Sequence, residues 1–263
     1  MKKTPRQLAS SLAPPLALLI VSVACWQLVV VIWQIKPYLL PSPGNVIEAA
    51  IKHRHDLVSA IWWTGRAAGL GLTISILLGM TTALVFSQSR IVRRSFYPYA
   101  IALQTVPIVA IAPLIVIWFG EGFQSVVLVT VIISLFPVVT NVTTGLTSID
   151  EGLHDLFQLN QASRWQLLVK LRIPLAIPSL VTGARTAAGL AVVGAIVGEF
   201  FTGASVQDRG LGYHVFSAVH TLQTNLLFNC VIAATLLGVG LFVVVSLAGR
   251  HLLGRWTAEM ETH

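Results

Sequence analysis

The sequence predicts an all-α fold, that of a polytopic membrane protein with six transmembrane helices. Of its 263 residues, 55% are hydrophobic and only 10% are charged, whereas charged residues make up about 25% of a typical soluble domain. Six apolar segments are each long enough to cross a bilayer, which takes roughly 20 helical residues. These predicted spans are residues 14–33, 67–86, 99–118, 123–142, 182–201 and 226–249. Residues 1–13 precede them, and residues 14–263 form a single membrane domain.

The basic residues predict the orientation of this domain. The net charge is +7, and its placement fits the excess of Lys and Arg in cytoplasmic loops better than it fits a nucleic-acid surface. We therefore place residues 1–13 and the C-terminus in the cytoplasm, and we expect lipid rather than nucleic acid as a partner. The basic residues left on the outer side are Lys36, Lys52, Arg54, Arg66 and Arg209.

The first apolar segment is expected to stay in the mature protein. It is longer than the apolar core of a typical signal peptide and lacks a clear cleavage site. After it, Ser42 followed by Pro43 is a favourable helix start, and predicts an amphipathic helix on the outer surface. His53 and His55 belong to the polar face of that helix, where we expect solvent and no metal site.

Three prolines, Pro107, Pro113 and Pro137, are expected to interrupt spans three and four. Such breaks survive in a membrane when the freed carbonyl groups face protein or a wet cavity. We interpret these two helices, together with span five, as the lining of a polar pathway; kinks needed only for packing explain the prolines equally well. The candidate pathway residues are Gln104, Thr105, Pro107, Asn141 and Glu199.

Span five contains Gly183, Gly189, Gly194 and Gly198, small residues that let helix backbones approach closely. This face either contacts a second copy of the chain or packs inside the same chain. Glu199 follows near the outer end of the span. An ionisable residue at that depth is either a gating or ion-pairing group or a side chain exposed at the membrane interface.

Residues 145–178 form the longest polar passage between the spans. Ser148 and Glu151 have the S-x-x-E spacing of a capping box, which predicts a helix start. Leu153, Leu156 and Phe157 then recur at helical spacing and line one face. The passage therefore opens with a short amphipathic helix.

A tight turn and a second short helix are expected next. Asn160 tolerates the left-handed conformation that ends helices, and Ser163 with Gln166 repeats the capping-box spacing. Pro174 and Pro178 are expected to stop the second helix, because proline lacks the N–H group and clashes with the preceding turn. The predicted shape is helix, turn, helix and proline stop on the cytoplasmic side.

Sequence signals of enzymatic chemistry are absent. The chain has no G-x-x-x-x-G-K-[ST] phosphate-binding loop, no H-E-x-x-H and no C-x-x-C. We therefore expect a protein that is not an enzyme, that binds no ATP, metal or other cofactor itself, and that catalyses no covalent step.

The polar passage resembles the conserved cytoplasmic loop, often called the EAA loop, of permease subunits in bacterial ABC importers. Residues 162–166 match the A-S-R-W-Q core of that loop, and Pro174 lies in the proline end of the pattern. Asp155-Leu156-Phe157 stands where the family has E-A-A, so the acid is kept, and Gln161 stands at the usual glycine. Other segments that resemble the nitrate/sulfonate/taurine subgroup are 40–43, 112–114, 118–120 and 210–213.

The resemblance implies a type I (MetI-like) permease fold and a role in importing a small solute across the bacterial cytoplasmic membrane. It also implies three partners: a cytoplasmic ATPase dimer that binds the ATP, an extracytoplasmic solute-binding protein, and a second copy of the chain in a homodimer. The solute would be an anion such as nitrate, a sulfonate or taurine, or else a vitamin precursor. The residues it assigns to contact with the ATPase are Asp155, Leu156, Phe157, Gln161, Ala162, Ser163, Arg164, Trp165, Gln166 and Pro174.

A secondary transporter driven by an ion gradient is the alternative. It would need no ATPase. The scarcity of acidic residues within the predicted spans and the capped polar loop both speak against it.

Overall fold

The computed structural model describes residues 5–202 and 209–260, and every regular element in these two ranges is helical. The prediction of an all-α membrane fold is confirmed. The helices are α1 (Pro5–Ile32), α2 (Pro43–Lys52), α3 (Arg54–Gln88), α4 (Arg90–Thr105), α5 (Ile108–Phe119), α6 (Phe123–Thr147), α7 (Glu151–Leu159), α8 (Arg164–Leu167), a π-helical turn (Leu168–Arg172), α9 (Ile173–Thr202), α10 (Leu211–His220) and α11 (Thr224–Met260).

Within residues 5–202 and 209–260, five helices are long and apolar enough to cross a membrane. They coincide with five of the six predicted spans, and they are Ala13–Ile32, Arg54–Gln88, Phe123–Thr147, Arg164–Thr202 and Thr224–Leu252. In place of the remaining span, 99–118, the structure has the end of α4 and the 12-residue helix α5. Val106 is extended (φ −72°, ψ 124°) because the proline that follows it disfavours the helical conformation at the preceding residue.

The other two prolines of this region do not interrupt their helices. Pro113 lies inside α5 and Pro137 inside α6, so the predicted breaks at these positions are wrong. Near Pro137, the side chains of Thr140 and Asn141 donate hydrogen bonds to the carbonyl oxygens of Phe136 and Pro137. Proline removes only the hydrogen bond to the carbonyl oxygen four residues earlier, here that of Ile133, and a membrane helix tolerates this loss where it packs against neighbouring helices, as it does at buried Pro137.

Helices α6 and α9 form the centre of the fold, and α3 packs against both. Their contact is close because glycines of α9 face the α6 backbone: a Cβ atom on Gly194 would lie 2.8 Å from Thr130 Cα, and one on Gly198 would lie 2.9 Å from Val126 Cα. A Cβ atom on Gly183 would lie 2.9 Å from the carbonyl oxygen of Pro137. Three of the four predicted glycines therefore serve packing within the chain. For Gly189 no described atom lies within 4 Å of that position.

Helix α9 continues through both prolines that were expected to stop the polar passage, so the predicted proline stop is wrong. The chain is helical without interruption from Arg164 to Thr202, a length of 39 residues. A π-helical turn precedes Pro174, and across it the N–H group of Ile173 donates to the carbonyl oxygen of Leu168. The wider turn accommodates a ring that would collide with the carbonyl four residues earlier in a regular α-helix.

Two ends of the molecule can be distinguished. The α10 end contains α2, α10 and the start of α11. Hydrogen bonds from Thr224 Oγ1 to Tyr38 O (2.6 Å) and from Asn229 Nδ2 to Val46 O (3.0 Å) tie α11 to α2 and to the segment before it. The predicted helix start at Ser42 is confirmed, since its hydroxyl accepts from the Asn45 N–H group. The α7 end lies at the opposite ends of α3, α6 and α9, and contains α7, α8 and the π-helical turn.

Candidate functional site

Helix α7 begins with an aspartate cap. Asp150 Oδ1 accepts hydrogen bonds from the N–H groups of Gly152 (2.9 Å) and Leu153 (3.3 Å). The predicted cap at Ser148 is wrong, because Ser148 still belongs to the end of α6, where its N–H group donates to Thr144 O (2.9 Å). A carboxylate immediately before the first turn satisfies two of the free N–H groups that every helix start leaves.

The turn after α7 is left-handed at Gln161. Its φ is +51°, whereas Asn160, the predicted left-handed residue, has φ −81°. The N–H group of Ala162 closes the turn by donating to Phe157 O (3.0 Å). Gln161 thus occupies the position of the family's usual glycine and adopts the conformation that glycine favours.

The predicted capping box at the start of α8 is confirmed. Ser163 Oγ accepts from the N–H group of Gln166 (3.2 Å), and Gln166 Oε1 accepts from the N–H group of Ser163 (2.8 Å). Helix α8 continues through the π-helical turn into α9. The capping box at Ser163 therefore marks the N-terminal start of the whole 39-residue helix. Pro174 lies inside that helix and not at the end of a separate loop.

Large apolar side chains are exposed on the outside of this hairpin. The exposed fractions are 55% for Leu156, 71% for Trp165 and 83% for Leu159, and Asp155 and Arg164 are exposed beside them. Phe157, which was expected to join this surface, is half-buried. We name Leu156, Leu159 and Trp165 the apolar hairpin surface.

Leu159 was not among the predicted contact residues. Its signal was present in the sequence: it follows Leu156 by three residues, so the two share one face of α7. The EAA-loop pattern covers positions 155–157 and 161–166, and Leu159 lies between them. Leu159 is recognised as a candidate contact residue by its exposure in the structure and not by its position in the motif.

The candidate pathway residues do not form one cluster. Gln104, Thr105 and Pro107 are exposed at the break between α4 and α5. Asn141 is half-buried on α6, opposite Gly183 of α9. Glu199 follows Gly183 by 16 residues, which is about 24 Å along the helix at roughly 1.5 Å per residue. Asn141 and Glu199 therefore lie at different depths.

Glu199 is buried in a hydrogen-bonded cluster at the α10 end, so of the two alternatives for this residue, exposure at the membrane interface is wrong. Its Oε2 atom accepts from Thr64 Oγ1 (2.9 Å) and from the N–H group of Gly212 (2.8 Å). Thr64 Oγ1 in turn accepts from the N–H group of Leu211 (2.8 Å). Thr64 and Glu199 thus satisfy the first N–H groups of α10 and tie α3, α9 and α10 together. Thr64 was not predicted, because its partners are distant in the sequence.

The chain is similar to known transport proteins over most of its length. A family model described as "Binding-protein-dependent transport system inner membrane component" matches residues 75–257. The formylaminopyrimidine transport permease protein ThiX of Halalkalibacterium halodurans is 39% identical over 197 residues, which cover 71% of this chain and 76% of ThiX.

Two further permeases are similar over longer stretches. The riboflavin transport system permease protein RibX of Chloroflexus aurantiacus is 34% identical over 239 residues (89% of this chain and 86% of RibX). The taurine transport system permease protein TauC of Escherichia coli is 30% identical over 214 residues (79% and 76%).

The fold is similar to that of a solved transporter. An inward-facing structure of the MetNI methionine ABC transporter matches with a TM-score of 0.57 and 18% sequence identity, over 72% of this chain and 94% of the matched chain. This likeness confirms the predicted MetI-like fold.

Proposed function

Because the chain belongs to the family of binding-protein-dependent transport system inner membrane components, we propose that the hairpin at its α7 end couples it to a separate ATPase. The chain is the membrane-spanning permease of an ABC importer, of the subgroup that includes sulfonate and taurine permeases. The alternative of an ion-driven secondary transporter is not retained, since the family is defined by import with a binding protein.

The apolar hairpin surface supports this coupling role. Leu156, Leu159 and Trp165 are exposed on a capped, well-defined hairpin, where exposed apolar groups of this size mark contact with a partner. A groove on the ATPase would cover them, with the Arg164 and Gln166 side chains at its rim. ATP binds to that partner and not to this chain.

The motion would be passed on by α9. The hairpin and span five are one continuous helix from Arg164 to Thr202, so displacement of the hairpin displaces the far end of α9, where Glu199 holds α3 and α10. In this mechanism, ATP-driven closure of the ATPase pair changes an inward-open cavity into an outward-open one.

We place the α7 end and both termini in the cytoplasm, and the α10 end outside, facing the binding protein. This orientation is supported by the distribution of Lys and Arg. The membrane is the bacterial inner membrane, the location named by the family description.

The pathway is proposed to lie between two copies of the chain. The outward face of α9 carries Thr182, Thr186 and Gly189, all exposed, with Arg185 half-buried beside them. An ionisable side chain at membrane depth, such as that of Arg185, faces a protein interior or water rather than lipid. This polar stripe therefore supports a homodimer whose two α9 helices flank the solute. Gln104, Thr105, Pro107 and Asn141 remain predicted pathway residues.

The solute is proposed to be a heterocyclic vitamin precursor. The permeases named for a formylaminopyrimidine and for riboflavin are 39% and 34% identical to this chain, and the one named for taurine is 30% identical. Competition in vesicles that contain the complete transporter tests this choice: unlabelled formylaminopyrimidine should reduce uptake of the labelled compound, and excess taurine should not.

The coupling role is tested by the variant Leu159→Glu. A charge on the apolar hairpin surface should abolish co-purification of the ATPase while leaving the amount of permease in the membrane unchanged. The matched control is Leu222→Glu, which changes a leucine that is 73% exposed at the α10 end. Equal co-purification with the wild type and Leu159→Glu would refute the proposed contact.

A further inference from the structure

A polar cavity lies between the hairpin and the ends of α3, α4 and α6. Its volume is about 450 Å³. Its walls come from the end of α3, the start of α4, the end of α6, and the hairpin with the π-helical turn. The long polar and charged side chains in its lining are Gln88, Arg93, Gln158, Arg164 and Arg172.

The cavity concentrates positive charge. Three arginines line it, and none of the described residues that form its walls carries a carboxylate. Like charges that share one concave surface repel one another more strongly than on a flat, fully hydrated surface, because less water screens them. An anion in the cavity would relieve this repulsion.

Arg172 is held in place beside the cavity. Its Nη1 atom donates to the carbonyl oxygen of Ser87 (3.0 Å), which fixes the guanidinium against the end of α3. Its Nε atom is buried and has no hydrogen-bond partner among the described residues. That atom has almost no solvent-accessible surface, so an anion in the cavity would instead meet the part of the Arg172 side chain that lines it.

We propose that this cavity binds a phosphate-type anion. Arginine forks match the oxygen geometry of phosphate and bind it through two parallel hydrogen bonds. Gln88 and Gln158 add amide groups that donate to the same kind of ligand. The volume admits one such group together with water. Inorganic phosphate and the headgroup of an anionic phospholipid share this chemistry, and the cavity lies at the helix ends, where both are available.

A bound phosphate group would connect the hairpin to the membrane helices. It would bridge Arg164 on α8, Arg172 on the π-helical turn and Arg93 on α4. Because the hairpin is the part that we propose to contact the ATPase, the anion would stiffen the element through which force passes. The cavity itself is independent of that proposal, and only its placement in the cytoplasm depends on the proposed orientation.

The test measures thermal stability of the full-length permease in nanodiscs. In discs of phosphatidylcholine, sodium phosphate should raise the Tm relative to sodium chloride at equal ionic strength. In a second arm, discs that contain phosphatidylglycerol are compared with phosphatidylcholine discs, without free phosphate, and bound lipid is counted by native mass spectrometry. A rise in the first arm identifies free phosphate, and a rise with retained phosphatidylglycerol in the second identifies the lipid headgroup.

Variants of the cavity decide whether the effect is specific. Arg93→Gln and Arg164→Gln should each weaken binding roughly tenfold, the effect of losing one charge-assisted hydrogen bond. The control is Arg94→Gln, which removes an exposed arginine next to Arg93 that does not line the cavity. Arg172 is left unchanged, because its bond to Ser87 also holds the fold together.

Two results would overturn the proposal. One is the absence of a Tm shift in both arms. The other is an equal loss of binding in Arg94→Gln and Arg164→Gln, which would show attraction to the basic surface in general. Because the measurement involves neither ATPase nor solute, its failure would leave the proposed transport function unaffected, and failure of the coupling experiment would leave the anion site unaffected.

Discussion

Thr64 both donates and accepts a hydrogen bond inside the α10 end. It donates to Glu199 Oε2 and accepts from the N–H group of Leu211, so one hydroxyl joins α3, α9 and the first turn of α10. Glu199 accepts a second bond from Gly212. The close approach of α10 depends on that glycine, because a Cβ atom on Gly212 would overlap the carbonyl oxygen of Ile196.

Replacing Thr64 by valine should therefore destabilise the protein. Thr64→Val keeps the shape of the side chain but leaves the Leu211 N–H group without its acceptor, at a cost of about 1–3 kcal/mol. The free energy of unfolding in detergent, followed by circular dichroism, measures this loss. Thr73→Val is the control, since the hydroxyl of exposed Thr73 donates to Gly69 O within its own helix. Equal stability of the two variants would refute the role assigned to Thr64.

Gln161 carries the strain of the hairpin turn. A residue other than glycine in the left-handed conformation costs roughly 1–2 kcal/mol. Gln161→Gly should relieve this cost and keep transport, whereas Gln161→Ile should open the turn, because a branched Cβ fits that conformation poorly. Hydrogen exchange of the Ala162 amide, which donates to Phe157 O, reports the opening. Equal protection in both variants would contradict the left-handed turn.

At the scale of elements, the contact between α6 and α9 is set by glycine. Gly194→Ala should cost about 1–3 kcal/mol, because its Cβ atom would press on the backbone at Thr130. Gly189→Ala is the matched control on the same helix, because the added Cβ atom meets no described atom within 4 Å. This variant should gain up to about 1 kcal/mol of stability from the higher helix propensity of alanine. Unfolding of the isolated chain in detergent measures both. Equal losses would mean that the helices do not pack as described.

Elements that depend on neighbouring residues were predictable from the sequence. The capping box of Ser163 and Gln166 needs only residues three apart, and the apolar spans need only composition. The helix through Pro174 was not predictable, because a π-helical turn upstream makes room for the ring. The cap of α7 was misassigned for a local reason: both Ser148 and Asp150 can cap, and the end of α6 already includes Ser148.

Contacts between elements that are distant in the sequence could not be predicted from it. The burial of Glu199 requires α3 and α10 to meet at the end of α9, and periodicity in one helix cannot show this. The same holds for the anion cavity, whose three arginines come from α4, α8 and the π-helical turn. Break positions were partly predictable: Pro107 lies in the break between α4 and α5, whereas Pro113 and Pro137 lie inside helices.

At the scale of the whole molecule, one long helix joins two polar ends. The α7 end carries an exposed apolar hairpin surface, the α10 end carries the buried cluster of Thr64 and Glu199, and the helix from Arg164 to Thr202 connects them. Helix α1 packs little against the rest: none of its apolar window is buried within the chain, although Trp26 stacks on Phe228. It therefore faces lipid or a second copy.

The central claim is that the hairpin lies in the cytoplasm and is covered by an ATPase. The most direct measurement labels Leu159→Cys, in a chain with Cys25 and Cys230 replaced by alanine, with a maleimide that cannot cross membranes. We expect labelling in inside-out vesicles, none in right-side-out vesicles, and protection when the ATPase is co-assembled. Labelling from the outside, or labelling that the ATPase leaves unchanged, would contradict the claim.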